Sequence, residues 1–116
     1  MKILLIDNEL PEHYEKLSFP KLREITDYLL LYRALGMQSM AKLFPNLAVI
    51  RGRKLMYDYA FVVYEMYNLQ EIGLHSLTHV LRGDIRIEKN PNLCFIDTID
   101  WSRIAKNYLI SVCIAL

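Results

Sequence analysis

Acidic side chains are the residues of this sequence that most directly suggest chemistry. Glycoside hydrolysis uses two carboxylates, one as an acid and one as a base or nucleophile. The second half of the chain offers four candidates for such a pair, Glu65, Glu88, Asp97 and Asp100. No motif assigns the acid and base roles among them, and solvated carboxylates are the commoner interpretation. We therefore expect no catalytic residue and no enzyme activity from this chain.

Metal and thiol chemistry have equally little support. His75 and His79 are four residues apart, a spacing that brings two ligands together on a helix, but the segment HSLTH precedes a predicted strand. His13 has no partner at a metal-binding spacing. The two cysteines, Cys94 and Cys113, fall short of the four ligands of a structural zinc site. We expect no metal and no cofactor.

The composition is that of one folded domain. The chain has 116 residues, 53% of them apolar and 23% charged, which excludes a disordered tail. A formal net charge of +1, without a block of like charge, gives no electrostatic attraction to nucleic acid or to an anionic membrane. The apolar start at residues 3–6 is too short for a secretory signal, and no apolar run approaches the ~18 residues that span a bilayer.

A short phrase recurs along the chain. FPKLREITD at 19–27 and FPNLAVIRG at 44–52 share their pattern, and NLQEIGL and NLCFI repeat part of it. The leucines of these phrases are separated by 25, 22 and 24 residues, and they are Leu22, Leu47, Leu69 and Leu93. A repeat of this length is typical of a chain that coils, with each turn stacked on the previous one. Stacked asparagines of the Asn-Leu pairs are expected to bind backbone groups at the corners.

The elements that fit such a coil are short strands. One β-rich run occurs in each repeat: KILLID (2–7), YLLLYR (28–33), AFVVYE (60–65) and IRIEK (85–89). A second set of strands is predicted at LREI, LAVIR and LQEIGL, and short helices at 9–17, 37–44 and 97–105. Glycines at 52, 73 and 83 fall at the bends. The prediction is a mainly β domain with short helices, a right-handed parallel β-solenoid of leucine-rich-repeat type.

Alternation along the strands indicates which residues face outwards. In IRIEK the two isoleucines face the core, so Arg86 and Glu88 face out. Carrying that register back through the stack gives two outward rows, one of Leu5, Leu30, Val62 and Arg86, the other of Asp7, Tyr32, Tyr64 and Glu88. The outer face is therefore apolar and aromatic with charges at one side, which is the anatomy of a protein-binding site. The alternative is that a flanking helix covers this face as ordinary core.

The same segments carry a family resemblance. LFPNLAVIRG, YAFVVYEM, RGDIRIEKN and LCFIDTIDWSRI, in this order and spacing, resemble the receptor L-domain. They are most similar to the first L-domain of the insulin receptor and insulin-like growth factor receptor tyrosine kinases. The resemblance runs from Ile3 to Ile104. We assign residues 1–108 to a receptor L-domain that lacks the family's first rung, and residues 109–116 to a divergent apolar tail.

The resemblance implies a function and a site. The expected protein is an extracellular, cell-surface receptor fragment that binds an insulin-like peptide hormone on its central sheet. Its partners would be the hormone, the C-terminal α-chain helix of the receptor and the rest of the ectodomain. The matching ligand-binding positions are Leu4, Leu5, Pro11, Tyr14, Leu30, Tyr32, Leu55, Met56, Asp58, Tyr64, Glu65, Arg86, Glu88 and Lys89.

Several positions depart from the family pattern. The mammalian-type pattern has aromatic residues at the positions of Asp7 and Met56, an asparagine at Asp58, and phenylalanines at Tyr32 and Tyr64. The site of this chain is therefore more polar. The alternative function is a truncated receptor-like decoy, or a paralogue product, that acts as a protein-interaction solenoid without hormone signalling.

The cysteines also depart from the family. The resemblance places the disulfide partner of Cys94 beyond Cys113, in a segment that this sequence lacks. We therefore expect both thiols to be free, and the tail LISVCIAL to pack poorly.

Overall fold

The computed structural model describes residues 1–6, 17–94 and 99–111. Eight strands and one short helix lie in these ranges. The strands are β1 (Ile3–Ile6), β2 (Glu24–Ile25), β3 (Leu29–Tyr32), β4 (Val49–Ile50), β5 (Tyr59–Tyr64), β6 (His79–Val80), β7 (Asp84–Glu88) and β8 (Tyr108–Ile110), and the helix is α1 (Trp101–Ile104).

The strands form two parallel sheets. The larger has the order β1-β3-β5-β7-β8 and the smaller has the order β2-β4-β6. From β1 to β7 the chain alternates between the two sheets, so that each strand pairs with the strand two places further along the sequence. The prediction of a mainly β fold with parallel sheets and few helices is confirmed.

The four long strand predictions are confirmed, but the third short strand is misplaced. It lies at His79–Val80 rather than at LQEIGL. Gln70 and Glu71 instead donate their backbone N–H groups to the carbonyl of Gln38 in the previous coil. The segment LQEIGL is therefore irregular rather than a strand, and two of its backbone donors are used by the previous coil.

The helix predicted at 37–44 is wrong for the same reason. This segment consists of turns and bends, and the N–H of Met40 donates to the carbonyl of Ile72 at 3.1 Å, across to the next coil. A donor used between coils is lost to an intrahelical bond. Of the segment predicted at 97–105, Trp101–Ile104 is helical. The prediction at 9–17 lies outside the described residues except for Leu17.

The register of the large sheet corrects the predicted rows by one residue at β1. Leu4, and not Leu5, aligns with Leu30, and Leu30 aligns with Val62. The outward row continues through Arg86 to Leu109. Leu5 belongs to the opposite row and packs partly buried against the core. A slip of one residue exchanges the two faces of a strand, so Leu5 faces inwards and Leu4 outwards.

The second predicted row changes in the same way. The backbone of Ile6, and not that of Asp7, aligns with Tyr32, Tyr64 and Glu88. Asp7 lies outside the described residues. On β3, β5 and β7 the core-facing side chains are fully buried, and they are Leu29, Leu31, Phe61, Val63, Ile85 and Ile87.

The leucine repeat combines two different corners of the coil. Leu22, Leu47 and Leu77 each stand two residues before a strand of the small sheet, and each donates its N–H to the carbonyl three residues earlier. Leu69 and Leu93 stand five residues after a strand of the large sheet and make the same turn bond. Both corners point a leucine into the core, and similar phrases therefore occur at two positions of one coil.

Asparagine side chains tie the corners of successive coils together, as predicted. Asn46 donates to the carbonyl of Pro20, and Asn92 donates to the carbonyl of Tyr67. Asn68 accepts from the N–H of Gly36 at 2.8 Å. Asn90 does both, because it accepts from the N–H of Met66 at 2.8 Å and donates to the carbonyl of Val63 at 3.1 Å. Its side chain is buried, so these bonds satisfy polar groups that water does not reach.

Three corners next to the large sheet have left-handed backbone. Arg33, Glu65 and Lys89 directly follow β3, β5 and β7 and have φ values of 53, 51 and 58 degrees. The N–H of Arg33 donates to the carbonyl of Tyr64, and the N–H of Glu65 donates to that of Glu88. These bonds hold the corners in a stack. Residues other than glycine occupy this region at a cost of ~1–2 kcal/mol each.

The carboxyl end of the described chain differs from the expected loose tail. Leu109 and Ile110 belong to β8, which pairs with β7, so the first residues of the predicted tail are part of the sheet. Cys94 is disulfide-bonded, and the prediction that it is free is wrong. Cys113 lies outside the described residues. Trp101 is buried, and the centroid of its ring lies 6.4 Å from that of Phe61.

In residues 1–6, 17–94 and 99–111, no helix combines the length and the apolar content that crossing a bilayer would need.

Candidate functional site

The outer face of the large sheet, which we call the outer face from here on, presents an apolar strip beside aromatic rings. Leu4 and Leu30 lie side by side on β1 and β3, and Leu4 is 39% exposed. Val62 continues their row on β5 and is only 8% exposed, although it is not part of the main core. Its neighbours in the same row, Leu30 and Arg86, flank it on both sides. The centre of the face is therefore closely packed before any partner binds.

Two tyrosines form the neighbouring row. Tyr32 and Tyr64 are aligned on adjacent strands, and their ring centroids are 5.9 Å apart. The guanidinium of Arg86 lies 5.1 Å from the Tyr64 ring centroid, and the ammonium of Lys89 lies 5.6 Å from it. A cation at this distance from an aromatic ring is attracted by the ring's negative face. Tyr64 is thus held on three sides, yet it remains partly exposed.

Arg86 makes charged contacts with several residues of the outer face. It donates to Glu88 on the same strand at 2.7 Å, and its guanidinium also lies 5.8 Å from the ring of Tyr59. The hydrogen bond that Arg86 donates to Glu88 raises the pKa of Arg86 further above its ordinary value. The hydroxyl of Tyr64 likewise raises the pKa of Lys89. Both cations stay charged throughout the physiological range.

The left-handed corners add a charged rim along one side of the outer face. Arg33 donates to Glu65 on the adjacent coil at 2.6 Å, and the hydroxyl of Tyr67 donates to the same carboxylate at 3.0 Å. The hydrogen bond from Arg33 is the main reason that the pKa of Glu65 lies below its ordinary value of 4.5. Glu65 is therefore ionised at neutral pH, and the rim carries both signs of charge.

This pair predicts a specific pH dependence of stability. Because the pKa of Glu65 is lower in the folded state, its contribution is complete above about pH 5 and is lost as the pH falls through the folded value. Glu65→Gln should therefore flatten the fall in unfolding free energy between about pH 5 and pH 3. Urea titrations at several pH values measure it. Equal slopes for the variant and the wild type would show that Arg33 and Glu65 are not paired in solution.

The loop of residues 52–58, called the 52–58 loop, borders the outer face ahead of β5. Met56 and Tyr59 pair through two backbone hydrogen bonds of 2.9 Å, and Tyr57 stands at the tip with φ of 55 degrees. The carbonyl of Asp58 accepts from the N–H of Asp84 on the neighbouring coil. Leu55 packs partly buried against the core, so it supports the loop from below.

Most of the residues predicted for the site are brought together. Eleven of the fourteen lie on the outer face, at its rim or in the 52–58 loop: Leu4, Leu30, Tyr32, Leu55, Met56, Asp58, Tyr64, Glu65, Arg86, Glu88 and Lys89. Leu5 points towards the core. Pro11 and Tyr14 lie outside the described residues.

Three members of this surface were missed at the sequence level. Tyr57 is 89% exposed at the tip of the 52–58 loop, and Tyr59 carries the Arg86 guanidinium on its ring. Arg33 completes the ion pair with Glu65. Two tyrosines separated by one residue at the start of a β-rich run were a usable signal for the first two. The pairing of Arg33 depends on contact between coils, which spacing alone does not give.

The residues considered for catalysis or metal binding are not gathered into a site. Glu65 and Glu88 belong to separate ion pairs with Arg33 and Arg86. Within the part of the chain that the structure describes, no group of three or more His, Cys, Asp or Glu side chains could hold a metal ion. Asp97 and His13 lie outside that part.

Comparison with known proteins defines the class of this chain. A family model described as the receptor L domain matches residues 1–105, and the chain belongs to this family. Individual relatives define the class more narrowly than the family model does. It is 58% identical over 107 residues to the insulin-like peptide receptor of Branchiostoma lanceolatum, covering 92% of this chain and 8% of that protein.

Two further relatives agree. The chain is 51% identical over 114 residues to the insulin-like growth factor 1 receptor of Xenopus laevis, covering 95% of this chain and 8% of the relative. It is 56% identical over 91 residues to the putative molluscan insulin-related peptide(s) receptor of Lymnaea stagnalis, covering 78% of this chain and 6% of the relative. The chain is therefore an L domain of the insulin receptor family and spans less than a tenth of the length of these relatives.

Proposed function

We propose that the outer face binds an insulin-like peptide hormone as the extracellular part of a cell-surface receptor. The observation that carries this proposal is the strip of Leu4, Leu30, Tyr32 and Tyr64, bordered by charged residues of both signs. An aromatic and aliphatic centre with a polar rim is the arrangement found at the energetic centres of protein interfaces. The names of the relatives supply the ligand class, since they are receptors for insulin-like peptides.

The proposed contact residues follow from exposure. They are those whose side chains reach the outer face, its rim or the tip of the adjoining loop: Leu4, Leu30, Tyr32, Met56, Asp58, Tyr64, Glu65, Arg86, Glu88 and Lys89. Leu5 and Leu55 would act from beneath, by supporting the strand and the loop that carry contacts. Pro11 and Tyr14 remain proposed contacts on the family resemblance alone.

The proposed domain is a right-handed coil of leucine-rich-repeat type and a binding module, not an enzyme. Connections between parallel strands are right-handed in nearly all known cases, which supports the handedness. The C-terminal α-chain helix of the receptor is the proposed second partner, with the rest of the ectodomain adjoining. This helix would cover part of the apolar strip and complete the surface that meets the hormone.

The proposal predicts weak binding by this domain alone. A half-site lacks the contacts of the partner helix and the preorganisation that the complete site provides. We expect insulin-like growth factor 1 or insulin to bind no more tightly than about 1 µM, and to bind more tightly when the α-chain helix is added as a synthetic peptide.

Isothermal titration calorimetry measures this directly, with the helix peptide taken from the Xenopus laevis insulin-like growth factor 1 receptor. Nanomolar binding without the peptide would contradict the half-site. Failure of both hormones to bind in the presence of the peptide would overturn hormone binding by this face.

A further inference from the structure

The 52–58 loop has little internal structure to fix its position. It presents Met56, Tyr57 and Asp58, and its one internal pairing is between the backbones of Met56 and Tyr59 in the described chain. Tyr57 is almost fully exposed and has left-handed backbone, which further disfavours the loop's conformation. A two-stranded hairpin on its own is marginally stable at best, so this pair contributes little, and the backbone ties to other coils lie at the two ends of the loop, through the N–H groups of Gly52 and Arg53 and the carbonyl of Asp58.

Arg82, on the neighbouring coil, adds a side-chain restraint at the start of the loop. Its Nη1 atom donates to the carbonyl of Gly52 at 2.8 Å and to that of Arg53 at 3.2 Å. These are the first two residues of the 52–58 loop. A charged guanidinium bonded to two successive carbonyls fixes both the position and the direction of the chain as it leaves β4.

The backbone at the base of the loop is packed too closely to accommodate a side chain at Gly52 or Gly83. A β-carbon on Gly52 would collide with the carbonyl oxygen of Arg82, and Gly52 has φ of 67 degrees. A β-carbon on Gly83 would lie 2.5 Å from Cδ2 of Leu55. The two glycines let the base of the loop lie directly against residues 82 and 83, where the guanidinium of Arg82 reaches its carbonyls.

We infer that Arg82 is a positioning residue, which holds the 52–58 loop so that Met56, Tyr57 and Asp58 face the ligand of the outer face. This inference rests on the proposed function for the identity of the ligand, but not for the restraint itself. Arg82 acts through the loop backbone, and no direct contact with the ligand is assigned to it.

Hydrogen exchange of the Met56 and Tyr59 amides tests the restraint on the full chain. Arg82→Met keeps an unbranched stem and removes the donors, and should accelerate exchange of both amides by about tenfold, with little change in global unfolding free energy. Arg53→Met is the matched control, because it removes the same charge from the loop itself. The Arg53 side chain makes no hydrogen bond within the described ranges, and its variant should exchange as the wild type does. Unchanged exchange in Arg82→Met would overturn the inference.

Calorimetry with insulin-like growth factor 1 and the helix peptide tests the consequence for binding. Arg82→Met should weaken binding by about fivefold to tenfold, while Arg53→Met changes it less. Faster exchange together with unaltered hormone binding would show that the loop does not contribute to the ligand surface, and would overturn that part of the inference. If the wild type itself fails to bind, the proposed function fails, and the exchange result still decides whether Arg82 holds the loop.

Discussion

Replacing Tyr64 by alanine is expected to weaken hormone binding by about 30-fold or more while the domain remains folded. Aromatic residues at the centre of an interface typically contribute 2 kcal/mol or more to binding. Tyr64 meets that description, because its ring packs at a tilt against that of Tyr32, lies beneath Arg86 and Lys89, and is still partly exposed. The loss of the aromatic contact with Tyr32 should cost about 1 kcal/mol of stability. Calorimetry with the helix peptide present measures the first effect, and urea denaturation measures the second.

Two variants define the limits of this result. Phe61→Ala, in the same strand but facing the core, should lose about 3–5 kcal/mol of unfolding free energy. Tyr108→Ala removes the same kind of ring from a residue aligned with the core-facing row, and should leave binding unchanged. A stability loss for Tyr64→Ala as large as that of Phe61→Ala would place Tyr64 in the core. Unaltered binding would show that the outer face is not the hormone site.

Asn90→Ala is expected to destabilise the fold by about 2–5 kcal/mol. Asn90 is 3% exposed, and the substitution removes the acceptor of the Met66 N–H and a donor to the Val63 carbonyl in one step. A buried backbone group that loses its partner costs about 1–3 kcal/mol. Urea denaturation with a constant slope would measure the loss as a shift of the midpoint.

Asn92→Ala is the matched comparison for this effect. Asn92 is exposed, and its side chain makes one hydrogen bond to the described residues, to the carbonyl of Tyr67, so water can replace it. Its loss should stay at or below about 1 kcal/mol. Equal losses for the two variants would mean that Asn90 does not act as a buried link between coils.

The long strands and the chemistry of the outer face were predictable from sequence. YLLLYR, AFVVYE and IRIEK are dense in β-branched and aromatic residues, and strict alternation in the last of them fixes which side is buried. The residues aligned in one row of the large sheet, Ile3, Leu29, Phe61, Ile85 and Tyr108, are, however, separated by 26, 32, 24 and 23 residues. A single repeat length could not give the register, and the error at β1 was one residue.

The corners were harder to predict because two different corners of each coil have similar residue types. A leucine two residues ahead of a small-sheet strand and a leucine five residues after a large-sheet strand are both buried next to a turn. Leu47 and Leu69 therefore looked like successive copies of one position. The segment at 37–44 was predicted as a helix because it lies between Gly36 and Pro45, whereas the N–H of Met40 bonds to the next coil and only the N–H groups of Leu43 and Phe44 donate to a carbonyl within the segment, that of Met40.

The contacts between coils could not be predicted from the spacing of residues in the sequence. Arg33 and Glu65 are 32 residues apart, and Arg82 reaches carbonyls 29 and 30 residues away. Each contact exists because two corners or bends of different coils are stacked. The sequence shows the charges, while the pairing follows from how much chain each coil contains.

At the left-handed corners, the residues that best suit the backbone conformation differ from those that suit recognition. Glycine or asparagine would suit the backbone at Arg33, Glu65 and Lys89, as glycine does at the bends of residues 52, 73 and 83. The chain instead keeps long charged side chains there, at positions from which they reach the edge of the outer face. Selection for folding alone would remove them. These three positions are therefore where a sturdier domain could be engineered most readily, and where such engineering would alter recognition first.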